Sequence, residues 1–190
     1  MGFTPGVPQP RWKAGEHDAR LRELKVLADE LGSREAPVVS MGVKALSRQG
    51  FPSAEDVAGL GPGLLGAWWQ AEGRARFPGA AEILVALEGP PGTGPDRRQR
   101  ESALQRFAVD SGLDVHVRHV PLVTRRWIEA SPATECRVSK AGDPAAAVSI
   151  TLRVLAAPKA GSGATGLLLA FQPDGWGYTL RAHADGASGA

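Results

Sequence analysis

The feature that most constrains this chain is a strand, helix, strand succession near its middle. Glu82 to Glu88 reads EILVALE, an apolar run too short to be a helix of its own. It is closed at once by Gly89-Pro90-Pro91-Gly92-Thr93-Gly94, so it predicts a buried strand followed by a loop. Pro95 suits the first position of a helix, and Ala103, Leu104, Phe107, Ala108 and Ser111 supply one face before Gly112 ends it. Leu113-Asp114-Val115-His116-Val117-Arg118 then alternates, which predicts another strand with His116 and Arg118 on the face opposite Val115 and Val117. Two strands joined through a helix at this spacing lie parallel with a right-handed crossover, and that commits the chain to an α/β class.

Other segments fill in around this unit. Leu21, Leu24, Leu27, Ala28 and Leu31 recur at helical spacing, with Gly32 placed as a stop. Pro37 to Val43 is a β-branched apolar run that predicts a strand. A helix is expected from the Ser53-Ala54-Glu55-Asp56 cap through Leu60, Leu64, Leu65, Trp68, Trp69 and Glu72, broken or kinked at Gly61-Pro62-Gly63. Val148, Ile150, Leu152 and Val154 alternate as in a strand, while their Ala-rich surroundings also support a helix, so residues 144–157 stay open between the two. Gly166 to Phe171 and Trp176 to Leu180, joined by Gln172-Pro173-Asp174-Gly175, predict a C-terminal β-hairpin. The expected organisation is a disordered segment over 1–12, one domain over 13–181 and a disordered tail over 182–190.

Composition narrows the function classes. The 24 Gly and 15 Pro among 190 residues make about a fifth of the chain, against a usual ~12 %, and imply many loops. With 43 % hydrophobic residues the chain still buries a sizeable core. Lys and Arg number 22 against 20 Asp and Glu, a net charge of +2, which excludes a histone-like DNA coat. The single Cys136 excludes an internal disulfide framework and a cysteine-based zinc site, and a reducing, cytoplasmic location is the simplest expectation. No segment approaches the ~20 apolar residues of a membrane span, so no membrane association is expected.

Few residues stand out chemically. The Gly89 to Gly94 loop follows a strand and precedes a helix, but it lacks the Gly-Lys-Ser/Thr ending of a phosphate-binding loop, and a tight turn explains it better. His17, His116, His119 and His183 show no metal-ligand spacing, and no metal or cofactor is expected. There is no Gly-x-Ser-x-Gly nucleophile elbow. Glu88 is the notable group, because functional side chains of open α/β sheets gather at the carboxyl ends of strands. Arg97, Arg98, Arg100, Arg125 and Arg126 are candidates for nucleic-acid contact, with a solvated helix face as the plainer reading.

Several landmarks then fall in one order. Ala67-Trp68-Trp69-Gln70 leads to Phe77-Pro78, the Glu82 to Gly89 strand follows, and Ser111-Gly112-Leu113 runs on to His119-Val120-Pro121 and Thr124-Arg125-Arg126-Trp127. With His17-Asp18-Ala19-Arg20 and Pro37-Val38-Val39-Ser40 upstream and Thr165-Gly166-Leu167 downstream, the pattern resembles the catalytic core of the Rhodopirellula-type DDE transposases. The resemblance implies an RNase H-like mixed sheet flanked by helices, shortened here between residues 43 and 67, and lacking a counterpart of the family's N-terminal DNA-recognition region. It also implies three carboxylates, two Asp and one Glu, that hold two divalent ions for DNA strand transfer. At the corresponding positions this chain has Gly42, Glu88 and Ser131, with Glu129 able to substitute for the last only after a two-residue slip.

The degenerate triad sets the functional expectation: a transposase-derived domain that has lost metal-dependent strand transfer and serves another role. Two alternatives accompany it. One is a small-molecule enzyme using Glu88 first, then His119 and Glu129, as acid/base residues in the old cleft. The other is a nucleic-acid or protein binding module. The small molecule or protein it would engage, and its oligomeric state, are left unassigned.

Overall fold

The structure is a computed structural model that describes residues 15–45, 59–89, 95–120, 134–140, 143–156 and 177–182. Six strands, β1 (Val38–Ala45), β2 (Glu82–Glu88), β3 (Asp114–Val120), β4 (Thr134–Lys140), β5 (Asp143–Ala156) and β6 (Gly177–Leu180), form one sheet in the order β4-β5-β1-β2-β3-β6. β1, β2 and β3 are parallel neighbours, while β5 runs antiparallel to β1, β4 to β5 and β6 to β3. The helices are α1 (Glu16–Ser33), α2 (Leu60–Trp68) and α3 (Pro95–Ser111). This mixed, helix-flanked sheet is consistent with the RNase H-like fold, and α3 joins β2 to the parallel β3 as the alternating runs require. No helix among the described residues is long and apolar enough to cross a membrane.

Side-chain alternation divides the sheet into two unlike faces. On one, Val39, Met41, Ile83, Val85, Leu87, Val115, Val117, Leu152 and Val154 are buried beneath α2 and α3. On the other, α1 lays Leu24, Leu27 and Leu31 over Val38, Leu84, Ala86 and Val120. This second face is also where the strands carry polar groups. Glu82 accepts from Arg34 Nη1 at 3.0 Å and lies 2.7 Å from His116 Nε2, and His116 Nδ1 is 3.1 Å from the Thr179 hydroxyl. With Nε2–H donating to the carboxylate, Nδ1 accepts from Thr179, a tautomer assigned from this network. Burial holds His116 below its ordinary pKa despite Glu82, so the network ties α1, β2, β3 and β6 together around a neutral imidazole. Beside it, Gly177 on β6 is needed because a Cβ there would overlap the buried Arg118 guanidinium.

The structure decides or revises the reading of three segments. Residues 143–156 form a strand, because Val148, Ile150, Leu152 and Val154 meet the apolar face while Ser149, Thr151 and Arg153 point the other way. Gly61, Pro62 and Gly63 are themselves helical and lie in the first turns of α2, where Pro62 needs no intrahelical partner for its missing N–H. Gly32 is not the stop of α1, which runs to Ser33, and the left-handed residue that turns the chain is Glu35 at φ 60°. The segment ending at Leu180 pairs with β3, whereas the other arm of the expected hairpin, like the helix start at Ser53, lies outside the described residues. Gly112 does end α3, in a left-handed conformation at φ 74°.

α2 continues into a π-helical turn, Trp69–Gly73, and a last short turn, Arg74–Arg76. Both Trp68 and Trp69 are buried, with ring centroids 6.1 Å apart, and Trp68 also packs on Phe77 at 6.4 Å. Gly73 makes room for them, because a Cβ there would overlap the Trp69 ring. The wide turn and the missing side chain together let two consecutive tryptophans pack into one core.

Candidate functional site

The register of β1 against β2 builds the site. Met41 pairs with Leu87, so the next residues, Gly42 and Glu88, stand side by side where the parallel β1–β2 pairing stops, at the carboxyl end of β2. Both belong to the polar face, as do Ser40 and, across the β1–β5 pairing, Thr151 opposite Gly42 and Arg153 opposite Ser40. Gly89, at φ 103°, turns the chain away from β2, and its N–H donates to the Val120 carbonyl at 2.7 Å, which pins the end of the strand beneath Glu88.

Glu88 does not extend into solvent; its side chain is 12 % exposed. The Ser40 hydroxyl donates to Oε1 at 3.2 Å, and Arg153 Nη1 lies 3.7 Å from the same oxygen. The other oxygen, Oε2, occupies the space a side chain at position 42 would need: an ideal Cβ on Gly42 would stand 2.5 Å from it and 3.0 Å from Cδ. The extra methylene of Glu, compared with Asp, thus carries the carboxylate over the bare backbone of β1. The result is one carboxylate, one hydroxyl donor and one guanidinium in a row across β2, β1 and β5.

The remaining candidates are not assembled around Glu88. His119 is on β3, one residue before Val120, which pairs with Glu88, so His119 and Glu88 project from opposite faces of the sheet. His119 is 4 % exposed, and its ring lies 6.5 Å from the Tyr178 ring. Burial, followed by the positive charge of Arg100, holds His119 down at about 4, so it is neutral at pH 7; burial pushes Tyr178 up to about 12. Arg97 is committed to Glu101 at 2.7 Å on the same helix, while Arg98 and Arg100 have no ion-pair partner among the described residues. Glu129, Ser131, Arg125 and Arg126 lie outside the described residues. Arg153 was not singled out by the sequence; the signal available was its place between Leu152 and Val154 in an alternating run.

Two outcomes follow from this geometry. Gly42→Ala forces the Glu88 carboxylate aside and breaks its contact with Ser40, so it destabilises the chain when Glu88 is present and is neutral or stabilising beside Glu88→Ala. A double-mutant cycle from urea unfolding is expected to give a coupling of about 1 kcal/mol. His119 contributes stability of a different origin. Its folded pKa lies below the unfolded value near 6.5, so the contribution is complete above about pH 6.5 and is lost as the pH falls through about 4. Unfolding curves measured at pH 7, 5 and 4 are expected to show a loss of up to about 3 kcal/mol that His119→Leu removes.

A model of the family described as the Rhodopirellula transposase DDE domain matches residues 47–167, well over half of the chain. The matched stretch includes Glu88 and His119 and begins beyond Gly42. No curated protein and no solved structure shows significant similarity to the chain. With the order of its landmarks, its helix-flanked mixed sheet and this match in agreement, the chain belongs to the Rhodopirellula transposase DDE-domain family.

Proposed function

We propose that this member of the family no longer carries out metal-dependent DNA strand transfer and that its fold is retained as a binding domain. The observation that carries the reading is the packing of Glu88 against Gly42. A pair of divalent ions is held by several anionic oxygens brought to one point. Around Glu88 the described side chains offer one carboxylate, already bonded to the Ser40 hydroxyl and facing the cation of Arg153. A guanidinium repels an incoming dication, and the place for a second carboxylate on β1 is filled by Glu88 itself. These donors do not suit the metal pair that the family resemblance implies.

A small-molecule enzyme working through Glu88 and His119 has less support. The two groups face opposite sides of the sheet, and His119 is buried and neutral. General acid/base catalysis requires both groups within reach of one substrate.

The test is direct. Supercoiled plasmid incubated with the full chain and Mg²⁺ or Mn²⁺ is expected to stay uncut, with Glu88→Ala indistinguishable from the unsubstituted protein. Metal-dependent nicking that Glu88→Ala abolishes would overturn the reading.

A further inference from the structure

The sheet ends at β4, and no described element pairs with the outer edge of that strand. An edge strand presents backbone N–H and C=O groups without ladder partners, and folds commonly guard it with proline, a bulge or charged side chains. The guard on β4 is slight. Its sequence, TECRVSK, holds no proline, and its register against β5 is regular from Thr134 to Ser139, with a bulge at Ser139/Lys140. Its inner charges, Glu135 and Arg137, are opposite in sign and two residues apart, so they share the polar face of the sheet. Both are exposed. Thr134, Cys136 and Val138 lie on the other face, paired with the buried Leu152, Ile150 and Val148 of β5.

This order of residues is complementary to itself in one register. When two copies of an edge strand pair antiparallel about a two-fold axis normal to the sheet, each face continues into the like face of the partner; an offset of one residue sets polar face against apolar face. Such an axis passes beside one residue, which then meets its own copy. Beside Glu135 it sets Glu against Glu, and beside Arg137 it sets Arg against Arg, and like charges directly opposite are destabilising. Beside Thr134 or Lys140 the pairing runs off an end of β4, and beside Val138 or Ser139 it takes in the bulge. Beside Cys136 it sets each Glu135 against the partner's Arg137 and each Thr134 against the partner's Val138, and it leaves the bulge outside the paired stretch. The Ser149 hydroxyl donates to Glu135 and so holds its carboxylate on the polar face, while Arg137 has no ion-pair or hydrogen-bond partner among the described residues.

We propose that two copies of this chain associate through β4, pairing antiparallel about Cys136, so that the two sheets continue into one another and each Glu135 meets the partner's Arg137. The paired stretch is short, so the association is weak and reversible. Cys136 is the single cysteine of the chain. In this register it faces its own copy with Cα atoms about 4.5 or 5.5 Å apart, according to the kind of ladder position it takes, and both separations are within the span of a disulfide. The pairing itself is noncovalent, and the thiol reports on it. It does not depend on whether the Glu88 site has lost its metal chemistry.

Sedimentation velocity of the full chain under reducing conditions, from about 5 µM to about 0.5 mM, is expected to show a monomer–dimer equilibrium. Glu135→Arg and Arg137→Glu each oppose like charges at both pairs, so each should weaken self-association by about tenfold or more. Mixed together, the two variants oppose Arg to Glu at both pairs and should recover the dimer, which separates a lost pairing from a lost fold. Under diamide, which takes up the two thiol hydrogens as the S–S bond forms, the unsubstituted chain and the mixture should give a disulfide-linked dimer faster than either variant alone. A chain that stays monomeric up to about 0.5 mM leaves the edge to a strand of another protein and overturns the proposal. A dimer indifferent to both exchanges, or one that mixing fails to restore, overturns it as well.

Discussion

The parallel pairing of β1 with β2 is the constraint on which the candidate site depends. It brings residues 42 and 88 level at the carboxyl end of β2, with their side-chain directions on the same face. Two full-length side chains cannot both occupy the space between them as Glu88 is placed. One residue has no side chain, and the other is long enough to cross the gap. Ser40, two residues before Gly42 on β1, and Arg153, opposite Ser40 on β5, then take up one oxygen of the carboxylate that arrives there. Any shift of register by one residue would send Glu88 to the apolar face, so this small polar cluster and the hydrophobic core are specified by the same pairing.

The two faces divide the work of the fold. Apolar packing under α2 and α3 is dense with aromatic and β-branched residues, while the face under α1 is held by fewer apolar residues and by the Arg34–Glu82–His116–Thr179 network. That network joins elements far apart in the chain, and its central imidazole is kept neutral mainly by burial. His119, on the apolar face, is depressed for the same first reason. Both histidines therefore act as structural groups at neutral pH, and both favour the folded state less as the solution is acidified.

Much of the fold was legible because its signals were local and periodic. EILVALE could only be a buried strand between loop residues, Pro95 and Gly112 bracket α3, and the alternation from Val115 to Arg118 gave the two faces of β3 correctly. Local chemistry misled or stayed ambiguous where longer-range pairing decided the outcome. Gly61-Pro62-Gly63 would interrupt the middle of a helix, but α2 starts at Leu60, so proline sits where its missing donor is harmless. An Ala-rich setting left 144–157 undecided until pairing with both β1 and β4 fixed 143–156 as a strand. The site was only partly readable. Glu88 was marked by its place at a strand end, but its partners are non-local: Arg153 is distant in sequence and reaches it only through the sheet order. His119 and Glu88 were paired on chemical type alone, and strand parity separates them.

The central claim is that the carboxylate at the end of β2 is neutralised by its own neighbours rather than poised to hold metal. The most direct measurement is the effect of paramagnetic Mn²⁺ on the ¹³C carboxyl resonance of Glu88, read beside that of the solvent-exposed Glu72. At sub-millimolar Mn²⁺, Glu88 is expected to broaden no more than Glu72 does. Selective, saturable loss of the Glu88 signal at ion concentrations that leave Glu72 sharp would contradict the claim.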